Sequence, residues 1–149
     1  HKLKNSVIFT GKVPWEEIPK YYQLASIFAT ASRTETQGLT VIEAMAASIP
    51  VVAADDDSFK LIVIDDLNGY LFKNKRQYKK QVEIFIKNPE KLKQMRKQAR
   101  NSAEPHSSKY FAEKVLDVYK IAIGDRPHEE QKTFMSKLKK VIRKGLHGK

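Results

Sequence analysis

The chain has 149 residues, 41% hydrophobic and 9% aromatic, enough for one domain with a real core, and its lack of cysteine excludes disulfides and thiolate metal sites. No run of 18 apolar residues occurs and the N-terminal HKLKNSVIFTG lacks the apolar core of a signal peptide, so neither a membrane-spanning helix nor export is expected. The net charge of +11 is uneven: residues 1–72 carry 6 basic and 9 acidic side chains, 73–125 carry 14 and 6, and 126–149 carry 8 and 2, so a field that attracts phosphate belongs to the second half.

In chain order, SVIFTG (6–11) and IFATAS (27–32) are short apolar runs suited to buried strands. Between them VPWEEIPKYYQLA (13–25) offers a turn and a short helix, with Pro19 tolerable only in a first helical turn. Good helix formers dominate from Leu39 to Ala47, and SIPVVAA (48–54) then supplies a β-branched strand. NGYLF (68–72) reads as a turn entering another strand. Strands alternating with helices predict an α/β domain with a Rossmann-like, mainly parallel sheet flanked by helices.

After Phe72 the pattern is helical, over about 76–87, 89–101 and 107–123, with Asn88 and Ser107 or Ser108 as N-caps. Phe111, Val115, Val118 and Ala122 form a stripe expected to pack on the sheet. A connector, GDRPHEE (124–130), leads to a basic amphipathic helix near 131–144, with Phe134, Leu138, Val141 and Ile142 opposite Lys132, Lys137, Lys139, Lys140, Arg143 and Lys144. The division expected is therefore 1–125 and 126–149. His1, His106, His128 and His147 fall in no ligand spacing, so no metal is expected.

In open α/β sheets, ligands settle beyond the carboxyl ends of strands, where loops meet helix N-termini. The loop RTETQG (33–38) feeds such a helix, whose free N–H groups could receive a diphosphate, with Gly38 allowing close approach. Glu35 and Glu43 flank that entrance and could accept hydrogen bonds from sugar hydroxyls on either side of the diphosphate, the layout of a nucleotide sugar. Spacing alone leaves open that both are ordinary surface charges. Two other classes compete: a basic nucleic-acid-binding protein, and a phosphoacceptor or magnesium-binding domain using Asp55, Asp56 and Asp57.

The stretch Ser32 to Ala53 resembles the signature of retaining GT-B glycosyltransferases of glycosyltransferase family 4, S-x-x-E-x-x-G-L-x-x-x-E-A-M-A followed by P-V-V-A, through Ser32, Glu35, Gly38, Leu39, Glu43, Ala44, Met45, Ala46, Pro50, Val51, Val52 and Ala53. VIFTGKV, YYQLASIFATAS, NGYLF and SSKYFAEKVLDVYK extend the likeness over roughly 6–123. Within the family, ETQGL and the acidic run after PVVA look most like bacterial glucosyltransferases acting on diacylglycerol lipids.

The resemblance implies part of the C-terminal, donor-binding domain of a GT-B enzyme that moves a hexose, glucose by the subfamily likeness, from UDP-glucose to an acceptor such as a membrane glycolipid. Glu43 would bind the donor ribose, and Glu35, the candidate catalytic residue, would lie beside the hexose. Gly38, Leu39 and Thr40 would offer N–H groups to hexose and diphosphate, and Gly11, Lys12 and Val13 would lie by the uracil. No cofactor and no nucleic-acid partner is implied. The chain would lack the acceptor-binding N-terminal domain and the first two strands of the donor domain, and be inactive alone. It would work in the cytoplasm, peripheral at the inner membrane face if the basic helix lies on anionic lipid. Ser48 departs from the pattern, which has glycine two places before the proline, and Asp55, Asp56, Asp57 and Ser58 replace a glycine-rich turn. The acidic run could suit a particular sugar or end a strand in solvent.

Overall fold

The β-branched run after Pro50 becomes the centre of the sheet in a computed structural model that describes residues 6–124 and, beyond them, 132, 133, 136, 137 and 139. Strand β2 (Val51–Ala54) lies between β1 (Phe28–Thr30) and β3 (Gly69–Phe72), and both pairings are parallel. Phe28 is in register with Val51, and Val51 with Gly69. All four β2 residues are buried, because a strand covered on both faces needs continuous apolar side chains.

Six helices accompany the strands among the described residues: α1 (Ile18–Leu24), α2 (Leu39–Ala46), α3 (Asp57–Lys60), α4 (Lys75–Lys87), α5 (Pro89–Ala103) and α6 (Ser108–Ala122). Pro19 sits in the first turn of α1, where its missing N–H has no intrahelical use. Asn74, Asn88 and Ser107 accept hydrogen bonds from the N–H groups of Gln77, Lys91 and Tyr110, capping α4, α5 and α6. Val51 and Ala53 join Val41, Ala44 and Met45 of α2, Phe59 of α3, and Ala99 and Ala103 of α5 in one core cluster. Val52 and Ala54 join Tyr70, Phe72, Phe85 of α4 and Met95 of α5 in the other. The sheet is thus a middle layer, as the alternation of elements predicts.

Residues 1–104 and 105–149 form two compact units, the first holding the sheet and α1–α5. In the second, α6 buries none of its residues, and Phe111 and Val118 of its apolar stripe are exposed. The boundary expected at 125/126 falls at the edge of the described residues, and Phe134, Leu138, Val141 and Ile142 lie outside them. No described helix is long and apolar enough to cross a membrane.

A second departure is the segment 6–11, expected as a strand. It is irregular, with Ile8 89% and Phe9 93% exposed. A strand exists through its neighbour's hydrogen bonds, and none of the described strands pairs with this segment. The two borders of the sheet are treated differently. At β3, Asp65 accepts from the Leu71 N–H at 2.8 Å and the Gln81 side-chain amide donates to the Leu71 carbonyl at 2.8 Å. These side chains occupy backbone groups that another strand would need, which closes that border to strand addition. Among the described residues β1 pairs with β2 alone, so β1 is the border left for extension.

The end of α2 explains the departure at Ser48. The Ile49 N–H donates to the Ala44 carbonyl and the Ser48 N–H to the Met45 carbonyl, the paired bonds of a Schellman turn, and Ser48 has φ 63°. Glycine is favoured there because a Cβ crowds the left-handed backbone. Ser48→Gly is therefore expected to stabilise the fold by about 1 kcal/mol, read as a higher urea midpoint at unchanged slope. An unchanged or lower midpoint would show that Ser48 forms compensating contacts.

Candidate functional site

The parallel sheet sets the location: the loop leaving β1 at its carboxyl end runs through Ser32, Glu35 and Gly38 into α2. Gly38 is the N-cap of α2, with φ 61° and no side-chain cap. Its carbonyl accepts from the N–H groups of Val41 and Ile42 at 3.0 and 3.2 Å. Among the described residues, no backbone hydrogen bond uses the N–H groups of Gly38, Leu39 or Thr40. These orphan donors, with the positive end of the helix dipole, form an anion-receptive turn.

The need for glycine at 38 is sharper than the sequence implies. A Cβ there would lie 3.0 Å from Ile62 Cδ1 and 3.3 Å from Phe59 Cδ1, besides straining the left-handed backbone. The missing side chain therefore lets Phe59 and Ile62 pack beneath the helix start. Both belong to the core cluster that contains Val41 of α2, so core packing fixes the entrance.

Glu43 stands one turn into α2, half-buried, and the Tyr22 hydroxyl of α1 donates to its Oε2 at 3.0 Å. The same hydroxyl lies 3.3 Å from the Thr40 carbonyl oxygen. Burial first, then the hydrogen bond to Glu43 and its charge, push the Tyr22 phenol well above its ordinary range, so it remains a donor at neutral pH. Glu35 is half-buried on the loop. The structure thus gathers Gly38, Leu39, Thr40 and Glu43 on one helix entrance and brings Tyr22 to it. Gly11, Lys12 and Val13 lie in the irregular segment before α1.

The acidic run directly follows the end of β2, and the Asp57 side chain is 95% exposed. Asp56 caps α3, accepting from the Ser58 N–H at 3.1 Å and the Ser58 hydroxyl at 2.5 Å, and these bonds hold its carboxyl below the usual range. Asp57 pairs with Lys60 at 2.7 Å, and Asp55 lies 3.5 Å from Lys60 and 3.7 Å from Lys73. The run therefore starts a short helix whose Phe59 supports Gly38. Cations also stand at the carboxyl ends of β1 and β3, where Arg33, Lys73 and Lys75 help line a hollow of about 380 Å³ with Thr30 and Tyr78. Composition shows such residues only as part of a basic field, and Tyr22, although it lies in the family-like stretch YYQLASIFATAS, carries no signal there that ties it to Glu43.

Comparison with known proteins gives the geometry a context. The model of the family Glycosyl transferases group 1 matches residues 1–102. An alpha-monoglucosyldiacylglycerol synthase of Acholeplasma laidlawii is 38% identical over 109 residues, which cover 73% of this chain and 27% of that protein. A protein of the same name from Streptococcus pneumoniae is 38% identical over 71 residues, 48% of this chain and 16% of that one. Among solved structures, the C-terminal domain of the glycosyl transferase group 1 protein LpcC from Francisella tularensis superposes with a TM-score of 0.63 at 28% identity, over 69% of this chain and 54% of that one. TarM gives 0.64 at 26% identity, over 78% of this chain and 24% of that one.

Proposed function

The chain belongs to the group 1 glycosyl transferases, and from that premise we propose that it is the donor-binding part of a retaining hexosyltransferase that takes glucose from UDP-glucose. Its fold is that of the C-terminal domain of GT-B enzymes. The chain spans about a quarter of the length of the Acholeplasma laidlawii relative and less of the Streptococcus pneumoniae one. The acceptor site is accordingly assigned to an N-terminal domain outside these residues. The acceptor is a membrane lipid of the diacylglycerol class, in keeping with the glucosylated diacylglycerol that the names of those relatives give as product. The work is placed in the cytoplasm, at the inner membrane face.

The observation that carries the reading is the entrance of α2, where free N–H groups at Gly38, Leu39 and Thr40 adjoin the half-buried carboxylate of Glu43. In the reaction, the bond between the anomeric carbon and the β-phosphate oxygen breaks. The acceptor oxygen bonds to the same face of the sugar, its proton passes to the departing β-phosphate oxygen, and the nucleoside diphosphate leaves. The helix N-terminus stabilises the departing charge in a setting that needs no reorganisation, Glu43 holds the ribose, and Glu35 lies by the hexose. Gly11, Lys12 and Val13 contact the uracil.

Titrating the chain with UDP, UDP-glucose and GDP-mannose, followed by amide chemical shifts, tests the reading. The expected result is saturable shifts at Gly38, Leu39, Thr40 and Glu43 with the uridine ligands and not with GDP-mannose. A folded sample with no shift at those residues for any of the three would overturn it.

A further inference from the structure

Glu43 is the proposed donor ligand that the structure already ties to another element, and the tie itself has the form of a functional device. Tyr22 reaches it from α1, 21 residues earlier in the chain, through the 3.0 Å hydrogen bond to Oε2. The ring behind that hydroxyl packs on Phe28 of β1, with centroids 5.9 Å apart, and adjoins the core cluster that includes Val41, Ala44 and Met45 of α2. The hydroxyl is therefore held by apolar packing rather than by a long flexible stem. A tyrosine has few rotamers, and here its position is set by α1, β1 and α2 together.

A carboxylate can accept about four hydrogen bonds, two at each oxygen. Tyr22 takes one at Oε2, which leaves Oε1 and the second lone pair of Oε2 for a vicinal diol. Unrestrained, a glutamate on a helix surface samples several rotamers, and a ligand that needs one of them loses affinity in selecting it. We infer that Tyr22 is a positioning residue, presenting the Glu43 carboxylate to the two ribose hydroxyls of a nucleoside diphosphate. This inference rests on the reading of Glu43 proposed above. Tyr22 touches no substrate in this role and acts through Glu43.

A half-buried hydroxyl satisfied by a nearby carboxylate can also be a plain stabilising contact, so the test must read what such a contact would not move. The measurement is calorimetric titration of the chain and its variants Tyr22→Phe, Glu43→Ala and Tyr22→Phe/Glu43→Ala with UDP and with 2′-deoxy-UDP. The expected result has three parts. Tyr22→Phe lowers UDP affinity by roughly three- to ten-fold and 2′-deoxy-UDP affinity by less, narrowing the preference for the ribonucleotide. Glu43→Ala abolishes that preference. In the double variant, removing the Tyr22 hydroxyl has no further effect.

If Glu43→Ala removes the preference while Tyr22→Phe leaves it intact, or weakens both ligands equally, Tyr22 is structural and this inference alone falls. If Glu43→Ala leaves the preference unchanged, or the unsubstituted chain binds neither nucleotide, the ribose reading falls and the inference goes with it.

Discussion

Glu43→Ala is expected to weaken UDP binding about 10- to 100-fold while leaving the fold intact. A hydrogen bond to a charged group contributes about 1.5–3 kcal/mol, and about 1.4 kcal/mol corresponds to each tenfold in affinity. The carboxylate is half-buried beside N–H groups that would hold the diphosphate, so its removal strips the ribose contact without touching the anion turn. The residual affinity should then fall steeply with added salt, because charge rather than hydroxyl recognition would carry it. Circular dichroism checks the fold, and calorimetry at two salt concentrations reads both effects. Loss of less than about threefold would remove Glu43 from the donor site.

Gly69→Ala should be the most damaging small substitution in the sheet, costing about 3 kcal/mol. Gly69 is buried at the start of β3, in register with Val51 of β2. A Cβ added there would lie 2.4 Å from the Val51 carbonyl oxygen and 3.0 Å from Val63 Cγ1. The obstacle is backbone, so relief requires the two strands to part. That would disturb a pairing that also receives the Val51 N–H on the Asn68 carbonyl at 3.3 Å. Domains of this kind are stable by only about 5–15 kcal/mol, so a large share of the margin would go. Urea unfolding followed by circular dichroism should show a much lower midpoint, and a loss under about 1 kcal/mol would mean that β2 and β3 separate easily. Gly69 opens β3, at the end of the parallel sheet opposite the one where the loop to α2 leaves β1, so any protein that still folds should retain UDP binding, which distinguishes this variant from Glu43→Ala.

The helices were legible because their signals are local. Leu39 to Ala47 contains strong helix formers and is α2 almost to the residue, and Asn88 and Ser107 cap the helices that follow them. A cap needs an acceptor within three residues of its donor, and that spacing is visible in the primary sequence. The segment 6–11 shows the limit of the same reasoning. Its apolar run is strand-like, but pairing depends on a neighbour supplied from elsewhere in the chain. The stripe of α6 is comparable: periodicity marks a face that could be buried and cannot say what covers it. Ser48 is intermediate, since the family pattern marks the position and only its φ of 63° shows why glycine is favoured there.

Of the candidate site, the loop, the helix entrance and the two glutamates came from the sequence, because motif and helix start coincide. The likeness to group 1 glycosyl transferases was carried by the same stretch. What the tertiary structure decided is how those groups are held. Tyr22 meets Glu43 across 21 residues, Phe59 and Ile62 fill the space that Gly38 leaves, and Asp65 and Gln81 occupy the two backbone groups of Leu71. The physical reason is range. Propensity, capping and periodicity act within a few residues, whereas a side chain's partner across the fold is set by how strands and helices pack, and that emerges only when the sheet brings distant segments together.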